Sequence, residues 1–176
     1  DGTAGNVLSL RGTAESIREK EAFAEQTRLK IPMLSALDII HGYKTVFPIP
    51  LGLSCTWDSV LIKKTARIAA IEATAMGYNN TYSPMVDITR DPRWGRVMEG
   101  FGEDPYLGSV IARAMVKGYQ GENLDASTSL LACVKHFGMY GAVEAGRDYN
   151  TTDMSRVTMY NVYLPPYKAA VEAGAG

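Results

Sequence analysis

Four short apolar segments alternate with longer segments of helical periodicity, and this alternation restricts the fold more than any other feature of the chain. The apolar segments predict strands over residues 7–10, 32–37, 80–83 and 130–134. The segments between them repeat apolar residues near every 3.6 positions and predict helices over residues 14–29, 58–77 and 104–121. Strands that alternate with helices are typical of βαβ units in a parallel sheet. Doubly wound sheets and (β/α)8 barrels are both built from such units.

The position of the polar segments favours the barrel. Chemically rich residues follow three of the predicted strands, at Asp38, in residues 82–105 and at Lys135-His136. Barrel enzymes collect their site residues at the carboxyl ends of several strands. A doubly wound nucleotide-binding domain would place a glycine-rich phosphate turn after its first strand, but residues 10–13 read LRGT. The fold class predicted is therefore α/β, with a (β/α)8 TIM-type barrel.

The length of the chain predicts an incomplete barrel. The 176 residues hold four strand–helix units, whereas a complete barrel of about 250 residues holds eight. We therefore expect residues 1–176 to form about half to two-thirds of a barrel.

Composition excludes several classes of protein. Hydrophobic content of 46% and charged content of 21% are typical of a soluble globular domain. The net charge of −1 gives no reason to expect nucleic acid as a partner, and no apolar run approaches the roughly 20 residues of a membrane span. Cys55 and Cys133 lie in apolar sequence and are expected to be buried thiols, with a disulfide as the alternative. Their spacing does not fit a metal site.

Residues 82–105 contain the densest mixture of charged, aromatic and turn-forming residues. A site that binds a polyol needs such a mixture, because it uses bidentate donors, carboxylate acceptors and an aromatic platform. Arg96 follows Gly95, where the backbone can approach a ligand closely, and it is the candidate ligand of this segment. Trp94 either anchors the loop or offers a sugar platform.

The other charged residues of this segment are expected to shape it. Arg90, Asp91 and Arg93 are predicted to pair among themselves, and Glu103-Asp104 is predicted to begin the next helix.

Polar residues at the ends of two other strands are further candidates. Lys135 and His136 are interpreted as hydrogen-bond donors to substrate hydroxyls; the alternative is a solvated lysine and a histidine bonded to the backbone. Asp38 is interpreted as an acceptor facing the same cleft, or as an ordinary turn residue. His41 is expected to make a structural hydrogen bond.

A second polar loop, residues 138–155, contains two further candidates for the cleft, Arg147 and Asp148. Residues 150–153 are expected to cap the helix that follows.

Three of these motifs, taken in order, resemble glycoside hydrolase family 3. They are ALDIIHG from residue 36, TRDPRWGRVMEGFGEDP from residue 89, and KHF from residue 135. The segment KHFGMYGAVEAGRDYNTTDMS is most similar to the periplasmic beta-glucosidase branch of that family. The resemblance covers nearly all of the chain.

The resemblance implies a fold, a reaction and a set of sugar ligands. The fold is a (β/α)8-type barrel followed by an α/β sandwich domain, which this chain does not contain. The reaction is hydrolysis, with retention, of a terminal non-reducing β-linked glucosyl residue in an oligosaccharide or β-glucoside, without a cofactor. The glycone ligands map to Asp38, Arg96, Lys135 and His136, and Arg147 lies near a family position that is often basic. The compartment implied is the periplasm or the exterior of the cell.

The resemblance also implies that the catalytic carboxyl groups lie outside this chain. Retention needs a nucleophile and an acid/base, and the family takes both from segments that follow the Lys-His loop. The chain is thus expected to carry the glycone-binding half of the site, with the remaining C-terminal part of the enzyme as its partner. The absence of a histidine after His136 argues against the N-acetylglucosaminidase branch.

Three alternatives remain open on the sequence alone. One is a xylosidase or a broader exo-acting enzyme of the same family. Another is a carbohydrate-binding paralogue that has lost the catalytic carboxylates. The third is an unrelated barrel enzyme that acts on phosphorylated substrates.

Overall fold

The centre of the structure is an all-parallel sheet whose four strands are adjacent in the order in which they occur in the chain. The computed structural model describes residues 4–176. The strands are β1 (Asn6–Leu8), β2 (Leu34–Leu37), β3 (Asn80–Thr81) and β4 (Leu131–Ala132). Strand order that increases without reversal is that of a barrel, whereas a doubly wound sheet reverses at a switch point. The prediction of barrel-type topology is thereby confirmed.

The strands lie where they are predicted but are shorter. The first strand ends at Leu8 rather than residue 10 because Ser9 has a φ of 57°, outside the extended region. The predicted run 130–134 forms regular pairing at Leu131–Ala132, and an isolated parallel bridge between Met85 and Lys135 extends it. The Ser83–Pro84 and Lys135–His136 peptide bonds are cis.

Side-chain caps begin the three predicted helices. The helices are α1 (Ala14–Glu25), α3 (Ser59–Ala75) and α4 (Pro105–Gln120). Their N-caps are Thr13, Asp58 and Asp104, whose side chains accept hydrogen bonds from backbone N–H groups of the first turn. Helix α1 ends at Glu25, four residues before the predicted position 29. A hydrogen-bonded turn follows it and leads to Lys30, whose φ of 53° lies outside the helical region.

Three further helices were not predicted in detail. Helix α2 (Pro50–Ser54) lies in the segment 38–57 that was expected to be a loop, and at five residues it is too short to show a helical period. Helix α5 (Arg156–Thr158) continues into a π-helical turn, Met159–Tyr163, and then α6 (Pro165–Glu172). Ser155 caps α5, so the expectation that residues 150–153 cap this helix is wrong. Asn150 instead donates to the carbonyl of Glu144.

The core lies between the sheet and helices α3 and α4. Alanines on α3 (Ala66, Ala69, Ala70 and Ala73) pack with larger side chains of α4 (Ile111, Met115, Val116 and Tyr119). The Tyr119 hydroxyl is buried and donates to the carbonyl of Ile39 at 2.6 Å. The backbone N–H of Ile39 in turn donates to the Thr81 hydroxyl at 3.2 Å. These bonds satisfy polar groups of the loop that follows β2 and so fix its direction at the edge of the sheet.

Gly118 permits the close approach of α3 and α4. A Cβ at this position would lie 2.6 Å from both the Ala66 Cβ and the Lys63 carbonyl oxygen. We expect Gly118→Ala to lower the free energy of unfolding by about 1–3 kcal/mol, because overpacking outweighs the better helix propensity of alanine. Urea denaturation measures this change. Gly52→Ala is the control, since its Cβ meets no atom closer than 3.6 Å. Equal stability of the two variants would contradict the prediction.

Both cysteines are free thiols, but they are not both buried. Cys55 is exposed and Cys133 is partly buried. The prediction of two buried thiols is therefore wrong for Cys55, which lies at the C-terminal end of the short surface helix α2.

The described residues contain neither a candidate membrane span nor a candidate metal site. Within residues 4–176, no helix combines the length and apolar character needed to cross a membrane. The same residues contain no group of three or more His, Cys, Asp and Glu side chains placed to hold a metal ion.

Candidate functional site

The loops that follow β2, β3 and β4 meet at the carboxyl edge of the sheet and line an open cavity of about 560 Å³. We call it the edge cavity. Its lining residues are Leu8, Asp38, Ile40, Tyr82, Arg96, Glu99, Lys135 and His136. Four residues singled out from the sequence, Asp38, Arg96, Lys135 and His136, are therefore brought together. Arg147 is exposed and does not line this cavity, so its role as a sugar ligand stays a prediction.

Asp38 and Lys135 form an ion pair between the ends of β2 and β4. The Lys135 ammonium donates to Asp38 Oδ1. The lysine side chain is 13% exposed and the aspartate side chain 43% exposed, so the carboxylate is the more open partner. An ammonium has three N–H donors and a carboxylate has two acceptor oxygens. Both groups therefore keep hydrogen-bonding capacity that a ligand can use.

Arg96 is fixed by a bidentate pair with Glu99. Its Nε and Nη2 donate to the two carboxylate oxygens, each at 2.7 Å. The short 3₁₀ helix Val97–Glu99 brings the two residues into contact. The hydrogen bonds from Arg96 hold the pKa of Glu99 below its usual value, and those to Glu99 raise the pKa of Arg96. The pair leaves Arg96 Nη1 pointing towards the ring of His136, at 3.3 Å from Nε2.

The Arg96–Glu99 pair predicts a pH-dependent stability. The stability that the pair contributes is fully present above the ordinary glutamate pKa of 4.5. It is lost as the pH falls through the lower pKa that Glu99 has in the folded protein. We expect the stability difference between the wild type and Glu99→Gln to shrink from pH 6 to about pH 3. Urea denaturation at a series of pH values measures it. A stability difference between the two proteins that does not change with pH would contradict a lowered pKa of Glu99.

His136 is held from behind by Asp87. The Asp87 side chain has no exposed area, and its Oδ2 accepts from the backbone N–H of His136 at 2.9 Å. The same oxygen lies 3.1 Å from His136 Nδ1. Tyr167 of α6 donates to the other oxygen of Asp87 at 2.9 Å and also contacts the carbonyl of His136. Asp87 was not recognised as a site residue from the sequence, although a carboxylate between the apolar residues Val86 and Ile88 is a signal for one.

A network around Trp94 joins the two polar loops. Trp94 is 2% exposed, and its indole N–H donates to Asp148 Oδ1 at 2.9 Å. The Tyr140 hydroxyl donates to the same oxygen at 2.5 Å. The Tyr140 ring packs edge-on against both Trp94 and His136, with ring centroids 4.9 Å apart in each case. Burial raises the pKa of Tyr140 to about 12, so its hydroxyl stays a donor.

This network decides between the two interpretations of Trp94. A side chain that is enclosed and bonded in this way anchors the loop and cannot serve as a platform for a sugar. Asp148, which was a candidate for the cleft, is engaged with Trp94 and Tyr140 instead. The hydrogen bond from Tyr140 is the main cause of its lowered pKa.

The remaining predictions for these loops concern local pairs. Asp91 and Arg93 do pair, at 2.6 Å between Arg93 Nη2 and Asp91 Oδ2, and the hydrogen bonds lower the pKa of Asp91 to about 2. Arg90 is exposed and takes no part in that pair. His41 makes the expected structural hydrogen bond, with its Nδ1 3.1 Å from the carbonyl of Phe47.

The edge cavity combines charged donors and charged acceptors around one opening. Each carboxylate in or behind it holds another group: Asp38 holds Lys135, Glu99 holds Arg96 and Asp87 holds His136. Such an arrangement can orient the hydroxyl groups of a polyol by charge-assisted hydrogen bonds. A lowered pKa makes Glu99 a poor proton donor at neutral pH.

Comparison with known proteins gives the same family over the whole chain. Residues 2–176 match the family described as the glycosyl hydrolase family 3 N terminal domain. A periplasmic beta-glucosidase of Salmonella typhimurium is 46% identical over 100% of this chain and 23% of its own length. A beta-xylosidase of Formosa agariphila is 40% identical over 100% of this chain and 26% of its own length.

Solved structures agree with this match. The structure of a mutant beta-glucosidase from Listeria innocua in complex with laminaribiose superposes with a TM-score of 0.92 at 50% identity, over 99% of this chain and 24% of that one. The chain thus spans about a quarter of the length of the proteins that it matches.

Proposed function

The chain belongs to glycosyl hydrolase family 3, and on this premise we propose that it supplies the glycone-binding part of an exo-acting, retaining beta-glucosidase. The observation that carries the proposal is the edge cavity. It places Asp38, Arg96, Lys135 and His136 around one opening, and these residues are the ones that correspond to sugar ligands by resemblance.

The chemistry of the cavity supports a sugar as its occupant. Glucose presents adjacent hydroxyl groups, each of which can donate one hydrogen bond and accept two. Lys135 and Arg96 provide donors, and Asp38 provides a carboxylate acceptor whose side chain is 43% exposed. Contacts that strengthen as the sugar ring flattens would lower the barrier to bond cleavage.

The catalytic carboxyl groups are proposed to come from another part of the protein. Retention requires two carboxyl groups about 5–5.5 Å apart, one of them a nucleophile and the other an acid/base. The carboxylates in and behind the edge cavity are already used to hold Lys135, Arg96 and His136. We propose that residues 1–176 are an incomplete barrel domain, completed in the whole enzyme by later strands and a second α/β sandwich domain.

Two relatives direct the choice of substrates for a test. The Listeria protein was solved with laminaribiose, which favours β-linked glucosides, and the Formosa relative is named a beta-xylosidase, which makes xylosides the necessary comparison. We propose a periplasmic or secreted location, because the Salmonella relative is named periplasmic.

Hydrolysis of aryl β-glucosides by two purified proteins tests the proposal. We expect the full-length protein that contains this chain to hydrolyse the β-glucoside with retention, faster than the β-xyloside. The 176-residue chain alone is expected to show no turnover, because the proposal assigns both catalytic carboxyl groups to another part of the protein.

Two results would overturn the proposal. A full-length protein with no activity on any exo-glycoside would remove the enzymatic function. Turnover by the 176-residue chain that is abolished by Asp38→Ala would show that the chain carries its own catalytic groups.

A further inference from the structure

We propose that Asp87 and Tyr167 are positioning residues that hold His136 as a neutral imidazole with its proton on Nδ1. In this state Nε2 offers a hydrogen-bond acceptor to the edge cavity. The proposal deepens the proposed function, since it rests on the cavity being the sugar site, and it assigns His136 a role opposite to the donor role expected from the sequence.

The first support is the surroundings of Asp87. Three groups donate to its two oxygens: the backbone N–H of His136, its ring Nδ1 and the hydroxyl of Tyr167. A carboxylate surrounded by donors acts as acceptor only, so the ring nitrogen that faces it must carry a proton. Complete burial of the Asp87 side chain excludes water as a competing partner.

The second support comes from the opposite end of the ring. Arg96 Nη1 lies 3.3 Å from His136 Nε2. A guanidinium group has no lone pair with which to accept a hydrogen bond. Nε2 must therefore be the acceptor in this contact, which is the same tautomer that Asp87 requires. The edge-on ring of Tyr140 keeps the imidazole in this orientation.

Tyr167 completes the arrangement from helix α6. Its hydroxyl donates to Asp87 Oδ1 at 2.9 Å and contacts the carbonyl oxygen of His136. Burial, and then the nearby charge of Asp87, raises the pKa of Tyr167, so the hydroxyl stays protonated. Asp87, His136 and Tyr167 lie in the loop after β3, the loop after β4 and helix α6, which limits rotation of the imidazole more than contacts within one loop could.

The tautomer divides the hydrogen-bonding roles in the cavity. Lys135 and Arg96 are donors, whereas Asp38 and His136 Nε2 are acceptors. A sugar hydroxyl that replaces the direct contact between Arg96 Nη1 and His136 Nε2 can donate to Nε2 and accept from Arg96, because both atoms face the same part of the opening. The opposite tautomer would place two donors against each other at that point.

A double-mutant cycle in the full-length protein tests this coupling. We expect Asp87→Asn to lower kcat/KM for an aryl β-glucoside by roughly 10- to 100-fold, as for other groups that orient a functional histidine. In a His136→Asn background the same change is expected to have an effect of less than about twofold. Asp91→Asn is the matched control, since Asp91 pairs with Arg93 and lies outside the cavity, and no change is expected.

The proposal would be overturned if Asp87→Asn lowered kcat/KM by the same factor in the His136→Asn background as in the wild type. Should Asp87→Asn fail to fold, Tyr167→Phe takes its place in the cycle. That variant removes one hydroxyl, and we expect it to lower kcat/KM several-fold only while His136 is present.

NMR of ¹⁵N-histidine-labelled full-length protein tests the tautomer without any need for activity. The His136 signals are identified by their loss in His136→Asn. We expect a protonated Nδ1 and an unprotonated Nε2 at neutral pH. A proton on Nε2, with or without one on Nδ1, would overturn the inference. A wild type that hydrolyses no glycoside contradicts the proposed function instead, and the NMR result still decides the inference.

Discussion

Replacing Asp38 with alanine in the full-length protein is expected to lower kcat/KM for an aryl β-glucoside by roughly 10²- to 10⁴-fold. A hydrogen bond to a charged group contributes about 1.5–3 kcal/mol, and the loss of two such bonds to the sugar corresponds to that range. The substitution also leaves the Lys135 ammonium, whose side chain is 13% exposed, without its carboxylate partner. Steady-state kinetics on the variant measures the effect.

The matched control for Asp38 is Asp91→Ala. Asp91 is also a paired aspartate in a loop of the same edge, but its partner Arg93 is largely exposed and neither residue lines the cavity. We expect its kcat/KM to stay within about twofold of the wild type, as for surface substitutions in general. Equal losses in the two variants would show that Asp38 acts through the loops and not through the sugar.

Trp94→Ala is expected to lower the free energy of unfolding by about 3–5 kcal/mol, the usual range for removing a buried aromatic side chain. The change empties a fully enclosed site and deprives Asp148 of one of its donors. It also removes the ring against which Tyr140 packs. Chemical denaturation followed by circular dichroism measures the loss.

Trp57→Ala provides a control with the same change of side chain. Trp57 is 79% exposed, so its removal should alter the free energy of unfolding by no more than about 0.5 kcal/mol. A loss for Trp94→Ala as small as that for Trp57→Ala would mean that the two polar loops do not depend on the Trp94 network.

The parallel sheet explains why the grouping of four candidate residues around one cavity can be predicted from the sequence. Adjacent parallel strands all end at one edge, so residues that directly follow them must lie close together. This rule brings Asp38 after β2 near Lys135 and His136 after β4, although nothing in their local sequence relates them. Caps such as Asp58 and Asp104 are local features and are found at the predicted positions.

What could not be predicted depends on partners that are distant in the sequence. Trp94 meets Asp148 from 54 residues away, and Asp87 meets His136 from 49. The hydrophobic period and the composition of the sequence carry no information about such distant pairs. The sequence therefore cannot distinguish a Trp94 that anchors the loop from one that serves as a sugar platform. Arg147 does not line the edge cavity, so its contact with a sugar stays a prediction.

The pairing of Asp38 with Lys135 makes the edge cavity sensitive to the integrity of the sheet from β2 to β4. The two residues are separated by 97 positions, and the strands between them must be in register before the two side chains can meet. A sugar that touches both therefore binds the assembled state and not a partly ordered one. A ligand that binds only the assembled state raises the free energy of unfolding of that state by RT ln(1 + [L]/Kd). Substrate would thus protect every strand from β2 to β4 against local unfolding, including segments that it never contacts.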